Sequence, residues 1–396
     1  MRFFGIDIAS EVHVVAAVDT DGEVLLKPTK IEETGAGHER LIELLGDASD
    51  SLVVMEATGH YWQNVFARLV ASGFEVAVVN PLAVRRFGES ELSRAKTDAA
   101  DARLIARFAR AHRPRVTALP NEQLQELREH VRLRDRWVQD LGDRVRQLHR
   151  LVDLGFPEFT RHVKDLSSNL ATTLLTRCPT AAAFKQVKAS TLTKLKYDKR
   201  HHVPEELAEA LIGAAKASAG MHHGPAYRLG VQTTCEDIAV LRKRIGEVDR
   251  TIKTLIDSSE LATLLQTIDG IGPTTTARIL AEFGNPASYV SAAAFSAHFG
   301  VVPGVNHSGK STPSRAGTTS LGDRRLRAKL WMPTLTAIVH NSWLKAFYER
   351  LIARGKPAKL ALVAAMRKLL TAIYSVAKNR RPFVPRLHAT STENPC

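Results

Sequence analysis

The chain has 396 residues, of which 44% are hydrophobic and 24% charged, and its formal net charge is +14. A chain of this length and apolar content can bury more than one core, so we expect two or three domains. No signal-peptide pattern and no membrane-length apolar run are recognisable, which predicts a soluble protein with no membrane partner. Cys178, Cys235 and Cys396 are too far apart in sequence to form a metal or disulfide motif, and this predicts a reducing, cytoplasmic location.

The positive charge is concentrated in the last quarter of the chain. Residues 301–396 contain 17 Lys or Arg and three acids, whereas residues 1–300 contain 38 basic and 38 acidic side chains. A basic block of this density predicts a polyanionic partner, most simply nucleic acid. The alternative is a solvated surface that keeps the protein soluble.

The first hundred residues predict an α/β domain with the element order βββαβαβα. Asp21-Gly22 is a strong turn signal between two β-rich runs, so the first three strands form an antiparallel meander. Period-2 and period-3.6 apolar patterns define the other elements. The predicted strands are Phe3–Ser10, Glu11–Asp19, Glu23–Ile31, Ser51–Glu56 and Glu75–Asn80, and the predicted helices are Gly37–Leu45, a segment that ends at Val70, and one opened by Asp98.

Four acids stand at the ends or starts of these elements. Asp7 interrupts the apolar first strand, where a carboxylate is poorly suited to burial unless it is paired or binds a metal. Glu56 ends the fourth strand, and Asp98 and Asp101 open the last helix. Parallel strands bring their ends to one edge of a sheet, so the four carboxylates are expected to surround one site.

Carboxylate oxygens are the ligands preferred by Mg²⁺ or Mn²⁺, and a metal pair about 4 Å apart can clamp a phosphodiester. The simpler interpretation of Asp98 and Asp101 is that they complement the helix dipole and cap free N–H groups.

Beyond Pro120, apolar residues recur at alternating three- and four-residue steps in two segments, a pattern that predicts coiled-coil helices. The helices would pack as an antiparallel hairpin or pair with another subunit. Arg134 takes one expected apolar position. Between the helices, the basic patch Lys185–Arg200 includes Lys194–Arg200, a candidate for contact with a nucleic-acid backbone. The apolar positions are Leu124, Leu127, Val131, Val138, Leu141, Val145, Leu148 and Val152 in the first segment and Ile238, Leu241, Ile245, Val248, Ile252 and Leu255 in the second.

The last part of the chain predicts a mainly α-helical domain. Gly270-Ile-Gly272-Pro273 precedes an alanine-rich helix and is either a helix-hairpin-helix turn facing a phosphate or a tight turn between core helices. Further on, four aromatic residues either stack on bases or belong to the core: Trp331, Trp343, Phe347 and Tyr348. The predicted boundaries are 1–118 for the α/β domain, 119–260 for the coiled-coil helices with an insertion at about 157–224, 261–380 for the helical domain, and 381–396 for a disordered tail.

The three acidic motifs resemble those of DEDD transposases of the insertion-sequence IS110 family, relatives of the Piv DNA invertase. They are Gly5-Ile-Asp7-Ile-Ala, Met55-Glu56-Ala-Thr-Gly-His-Tyr and Lys96-Thr-Asp98-Ala-Ala-Asp101-Ala. The segment from Leu264 through Phe295–Pro303 to His307-Ser-Gly-Lys-Ser311 matches the family's carboxy-terminal transposase domain. The resemblance implies a RuvC-like, ribonuclease-H-type first domain in which Asp7, Glu56, Asp98 and Asp101 bind Mg²⁺.

The resemblance also implies a serine nucleophile, assigned to Ser308 by its place in the Ser-Gly motif, with Ser311 and Ser314 as neighbouring alternatives. Basic side chains near the two motifs are candidates to hold phosphates. Thr58 and His60 lie in the same motif as Glu56 and are candidates either to support the metal ligands or to contact a phosphate. The phosphate candidates are Lys96, Lys310, Arg315, Arg324 and Arg325.

The function predicted in this way is site-specific DNA transposition or recombination through a phosphoserine intermediate. By resemblance, a bridge RNA would pair with donor and target DNA, so that base pairing reads the sequence while the protein holds backbone. A dimer or tetramer would bring Ser308 of one subunit to the acids of another. Two alternatives remain: a RuvC-like nuclease, which needs the acids but no serine, and a non-catalytic nucleic-acid scaffold, which needs neither.

Overall fold

The computed structural model describes residues 1–91, 97–119, 122–302 and 322–385. The chain forms two compact units, Met1–Pro120 and Asn121–Cys396. In the first unit the strands are β1 (Arg2–Asp7), β2 (Val12–Val18), β3 (Val24–Glu32), β4 (Ser51–Glu56) and β5 (Glu75–Val79), and the helices are α1 (Gly35–Leu45), α2 (Trp62–Ala71), α3 (Pro81–Ser90) and α4 (Asp98–His112).

The five strands form one mixed sheet in the order β3-β2-β1-β4-β5. The pairs β1/β2 and β2/β3 are antiparallel, whereas β1/β4 and β4/β5 are parallel. This mixed sheet is compatible with the ribonuclease-H-type fold that was predicted.

The predicted order lacks one helix, α3, which follows β5 directly. Its start signals are present in the sequence, because the Asn80 side chain accepts a hydrogen bond from Leu82 N and Pro81 occupies the first helical position. The observed order is therefore βββαβαβαα.

Alternation along the strands divides the first unit into three layers. Phe4, Ile6 and Ile8 point to the face that packs against α1 and α2. Phe3 and Val54 point to the opposite face, where they join the apolar residues of α3 and α4. The sheet is thus covered by helices on both faces. The sheet edge is the side of the sheet where the parallel strands β1 and β4 end.

The regular elements of the second unit are helices throughout its described residues, apart from an isolated antiparallel bridge between Lys196 and His202. Its helices are α5 (Glu122–Gly155), α6 (Phe159–His162), α7 (Asn169–Arg177), α8 (Ala181–Lys185), α9 (Ala189–Leu192), α10 (Glu205–Lys216), α11 (Pro225–Asp257), α12 (Glu260–Leu265), α13 (Pro273–Phe283), α14 (Ala292–His298), α15 (Arg324–Lys329), α16 (Trp331–His340), α17 (Ser342–Ala353) and α18 (Ala358–Asn379), with a short 3₁₀ turn at Pro286–Ser288.

Helices α5 and α11 lie antiparallel to each other. Arg134 Nε lies 2.5 Å from Asp249 Oδ1, and Arg144 Nε lies 3.2 Å from Asp237 Oδ2, so the partners run in opposite directions along the pair. Arg134 occupies an apolar position of the predicted seam, and the ion pair with Asp249 explains why a charge is tolerated there.

Each end of this helix pair belongs to a different core. Leu127 and Ile252 pack with α12 to α18, whereas Leu148 and Ile238 pack with the helices of the insertion, α6 to α10. One end of the helix pair therefore shares a single hydrophobic core with the last third of the chain. Trp331, Trp343 and Phe347 pack against that core, as the core interpretation of these aromatic residues predicted.

Helix α18 is long and apolar enough to cross a membrane by length and composition, but 61% of its most apolar window is buried within the protein. It contributes Met366, Leu370 and Ile373 to the larger core. The core position accounts for its apolar sequence. Cys178 and Cys235 are free and buried, and burial raises the pKa of the Cys178 thiol to about 11, so both behave as core side chains.

Candidate active site

The sheet edge brings Asp7 and Glu56 next to each other. They are the last residues of β1 and β4, which are adjacent and parallel. The register pairs Gly5 with Val54 and Ile6 with Met55, so the next step along both strands places Asp7 beside Glu56. Since side chains alternate, both carboxylates point to the face that carries α4.

Helix α4 approaches this face unusually closely at Gly5. A Cβ atom on Gly5 would lie 2.2 Å from the backbone nitrogen of Ala106 and 2.4 Å from the carbonyl oxygen of Ala102. No side chain fits in that space, so the glycine sets the distance between the helix and the sheet.

The first turn of α4 therefore lies over the end of β1. Asp98 and Asp101 precede Ala102 and belong to that turn. The helix cap is supplied by Thr97, whose hydroxyl accepts a hydrogen bond from Ala100 N at 3.2 Å. Capping thus does not account for Asp98 and Asp101, and the helix carries them to the edge where Asp7 and Glu56 end.

The electrostatics show that these acids share one site. Burial, followed by the charges of Asp101 and Asp98, raises the pKa of Asp7 to about 6. Burial, followed by the charges of Asp7 and Asp101, raises the pKa of Glu56 to about 7. Asp98 and Asp101 act on Asp7, and Asp7 and Asp101 act on Glu56, so these acids lie close together, and a bound cation would relieve their repulsion.

The donor set of this site consists of carboxylate oxygens, which suits Mg²⁺ or Mn²⁺. Within the described residues, three ligand atoms come within 4.8 Å of one another at His13, Glu33 and His38, but not among the four acids.

Two models of transposase families match the chain. A DEDD transposase model matches residues 4–157, and a model of the IS116/IS110/IS902 transposase family matches residues 262–349. The chain belongs to the IS110 family of transposases. It is thus a DNA transposase or recombinase, and both matched segments contain motifs quoted above from the sequence.

Individual relatives are similar over most of their length. An uncharacterized protein of insertion element IS116 from Streptomyces clavuligerus is 27% identical over 98% of this chain and 97% of its own. The pilin gene-inverting protein of Moraxella bovis is 25% identical over 85% of this chain and 83% of its own. A transposase for insertion sequence element IS1111A from Coxiella burnetii is 21% identical over 88% of this chain and 84% of its own length.

The second predicted part of the IS110 site falls largely outside the described residues. Ser308, Lys310 and Arg315 lie there, as do Ser311, Ser314 and Lys96. The described residues on either side of 303–321 lie together: a Cβ on Gly322 would be 2.3 Å from Gly300 N, and Asp323 N donates to His298 O at 2.8 Å.

Arg324 and Arg325 are exposed at the start of α15. The Asp323 side chain caps that helix by accepting from Arg325 N at 2.7 Å. Both arginines therefore follow directly on the junction at Gly322, with side chains accessible to a ligand.

The turn at Gly270 is pressed against α16. A Cβ on Gly270 would lie 2.5 Å from Ala337 Cβ, and its φ is +96°. The nearby cations Arg278 and Lys329 both bind the carboxylate of Asp135. These contacts favour the turn between core helices over the phosphate-binding alternative, because Gly270 packs on α16 and both nearby cations already bind a carboxylate.

One polar cluster of the first unit was not predicted. Glu33 Oε2 contacts His13 Nε2 at 2.6 Å and His38 Nε2 at 2.9 Å. His13 Nδ1 accepts from Ala9 N at 3.3 Å, so the proton of neutral His13 is on Nε2 and donates to Glu33. A histidine that binds metal through Nε2 needs its proton on Nδ1, so this cluster is a hydrogen-bond network.

Proposed function

We propose that this IS110-family transposase is a site-specific recombinase that cuts and rejoins DNA through a phosphoserine, with Mg²⁺ at the acidic site. The observation that supports it best is the convergence of Asp7, Glu56 and Asp101 at one sheet edge, where the charge of Asp101 raises the pKa of both Asp7 and Glu56. A chain that keeps such repulsion at the sheet edge gains from a bound cation.

The four carboxylates would hold the metal and orient it toward a phosphate. Bound Mg²⁺ supplies positive charge that stabilises the pentacovalent phosphate and the leaving oxygen. Arg324 and Arg325, exposed after the Gly322 junction, would hold the flanking phosphates.

Ser308 would make the covalent bond. Its hydroxyl oxygen attacks the phosphorus and loses its proton, and the bond from phosphorus to the 3′-oxygen breaks, which leaves a 3′-hydroxyl and a phosphoserine. In the second step the 3′-hydroxyl of another strand attacks the same phosphorus and the serine leaves. The number of phosphodiester bonds is conserved, so no external energy source is needed.

The proposal includes a bridge RNA and a dimer or tetramer. The family resemblance implies both, and the 17 Lys or Arg of residues 301–396 supply the charge that an RNA and two DNA duplexes require. In such an assembly base pairing selects donor and target while the protein holds backbone.

Covalent trapping on DNA tests the mechanism. Purified protein is incubated with Mg²⁺, its copurified RNA and radiolabelled donor DNA, then denatured, and the DNA-linked peptide is sequenced. We expect the label on Ser308, loss of the adduct in Ser308→Ala, and retention in Ser311→Ala as the matched control. Strand cleavage that persists without an adduct in Ser308→Ala would instead identify a hydrolytic nuclease.

Asp101→Asn separates the enzyme from a scaffold. We expect this variant to bind DNA and lose the adduct, since the acid acts in chemistry and not in binding. Recombination that continues in Asp101→Asn would overturn the metal mechanism. Sequencing the RNA that copurifies with the wild-type protein tests the guide, and an RNA unrelated to the element's own non-coding end would contradict it.

A further inference from the structure

The insertion between α5 and α11 presents a compact basic hairpin, residues Lys194–His202. Its two arms pair through the bridge between Lys196 and His202, and Val203 N donates to Leu195 O at 3.1 Å. Leu192 and Val203 at its base are buried in the core of the insertion. The hairpin is therefore a folded part of the protein, held in one geometry by its own backbone pairing and by the core beneath it.

The carboxylate of Asp198 is used to build the turn. Its Oδ1 accepts from the backbone nitrogens of Arg200 and His201, both at 2.7 Å, and its Oδ2 contacts His201 Nδ1 at 2.8 Å. Hydrogen bonds from Arg200 N and from His201 lower the pKa of Asp198 to about 2. The acid thus stabilises the loop shape, and its oxygens bind backbone N–H groups and His201 rather than the cationic side chains around it.

Asp198 is also the single acid between residues 185 and 204 of the sequence, which carries six cations there. All six are exposed, and among the ion pairs of the described residues none involves them. They are Lys185, Lys188, Lys194, Lys196, Lys199 and Arg200.

The arginines of the α5 and α11 pair behave differently. Five arginines of α5 each bind a carboxylate, and all five carboxylates lie on the same helix within about one turn or on α11 across the pair. Arg132 and Arg146, for instance, pair with Glu129 and Asp143 three residues away. These five arginines are thus paired with acids locally, whereas the cations of the basic hairpin are not.

The chemistry of the hairpin suits the backbone of a duplex. Single strands are usually held by exposed aromatic platforms on which bases stack. The aromatic residue here, Tyr197, packs on the insertion core and is stacked by His201, with ring centroids 6.0 Å apart, so its faces are occupied. Unpaired Lys and Arg side chains on a rigid support bind phosphates without reading bases.

We propose that the basic hairpin Lys194–His202, with Lys185 and Lys188 beside it, binds the phosphate backbone of duplex DNA. The surface lies in the insertion and requires neither the serine nor the acids, so it goes beyond the strand-transfer mechanism. Its partner is DNA because the chain is a DNA transposase, and its contribution is affinity that does not depend on sequence.

The test compares two full-length variants that lose the same charge. The hairpin variant carries Lys194→Gln, Lys196→Gln, Lys199→Gln and Arg200→Gln, and the control carries Arg132→Gln, Arg136→Gln, Arg144→Gln and Arg146→Gln. Affinity for a labelled DNA duplex of unrelated sequence is measured by fluorescence anisotropy over a range of salt concentrations. Melting temperature checks that both variants are folded, and Lys199→Gln/Arg200→Gln repeats the test with fewer changes.

We expect the hairpin variant to lose about 10-fold or more in affinity and its salt slope to fall by about 2 to 4, since each phosphate contact contributes about 0.9. The control should change far less in both. Equal losses in the two variants would show a response to net charge and overturn the proposal. It would also be overturned by an unchanged salt slope, or by a loss for duplex RNA with none for duplex DNA.

Discussion

Two carboxylate clusters in the first unit show opposite electrostatics. At the sheet edge, Asp7 and Glu56 face other acids, and their pKa values are raised to about 6 and about 7. At Glu33, burial would raise the pKa, but hydrogen bonds from His13, Asn64 and His38 outweigh it and lower the pKa to about 2. One unit therefore contains a carboxylate whose hydrogen-bond needs are met and carboxylates that repel one another.

The difference separates a structural cluster from a functional one. Glu33 joins His13 on β2, His38 on α1 and Asn64 on α2, so its charge ties three elements together. The acids of the sheet edge oppose one another and would be stabilised by an added cation. Four predictions test this contrast, from the largest expected effect to the smallest.

Closing the gap between α4 and the sheet should disrupt the acidic site most. Gly5→Val places side-chain atoms where the Ala102 and Ala106 backbone lies, so we expect a loss of about 3 kcal/mol or more in unfolding free energy and no detectable strand transfer. Urea denaturation measures the stability. Gly35→Ala is the control, because a Cβ there meets nothing within 4 Å. A similar loss of stability in that control would contradict the explanation by close packing of α4 on Gly5.

Removing Glu33 should destabilise the unit without directly affecting the chemistry. Glu33→Ala leaves the fully buried His13 ring without its partner, so we expect a loss of about 1–3 kcal/mol. Glu39→Ala breaks an exposed ion pair with Arg68 and should cost less than about 1 kcal/mol. If both variants melt at the same temperature, the network does not stabilise the fold as described.

Neutralising an acid of the sheet edge should have the opposite effect: it should stabilise the fold and reduce the activity. At pH 8 without metal, Asp7→Asn removes one of the repelling charges, so we expect the protein to be stabilised by about 1 kcal/mol. Strand transfer should fall by about 100-fold or more, since a metal ligand is lost. Thermal melts with and without Mg²⁺ provide the measurement. A lower melting temperature of Asp7→Asn in metal-free buffer would contradict the proposed repulsion.

The pH dependence of stability should differ in sign between the clusters. Asp7 and Glu56 have raised pKa values in the folded protein. Their contribution to the unfolding free energy is therefore present below their pKa values in the unfolded chain, near 4, and is lost as pH rises to about 7. Glu33 has a lowered pKa, so its contribution is present above 4.5 and is lost as pH falls toward about 2. Urea titrations of the wild-type, Asp7→Asn and Glu33→Ala proteins at a series of pH values measure the stability contribution of each cluster.

In that experiment Asp7→Asn should reduce the fall of unfolding free energy between pH 4 and 7. Glu33→Ala should reduce the fall of unfolding free energy as pH decreases below about 4.5. We expect each effect to be about 1 kcal/mol. Mg²⁺ should reduce the decline at neutral pH in the wild-type protein, because ionised acids bind it. A wild-type curve that rises from pH 4 to 7 and is unaffected by Asp7→Asn would oppose the assignment.

The sequence by itself determined the strands of the first unit, the two long helices and the acidic motifs, because these depend on local apolar periods, turn residues and charge. It also indicated that Asp7 is unsuited to ordinary burial. The helix α3 was missed although Asn80 and Pro81 mark its start, since only Val84 and Gly88 of its ten residues are buried and its apolar stripe is short. Thr97 as the cap of α4 was likewise readable from local sequence, but the adjacent Asp98 competes for that position.

Tertiary structure alone decided the contacts between distant residues. Nothing local to Gly5 shows that α4 will cross it, because that contact joins residues about a hundred positions apart and depends on how a helix packs on a sheet. The Glu33 network likewise needs β2, α1 and α2 to be assembled. A sequence shows which acids are present, but whether a carboxylate meets donors or other carboxylates depends on the packing around it.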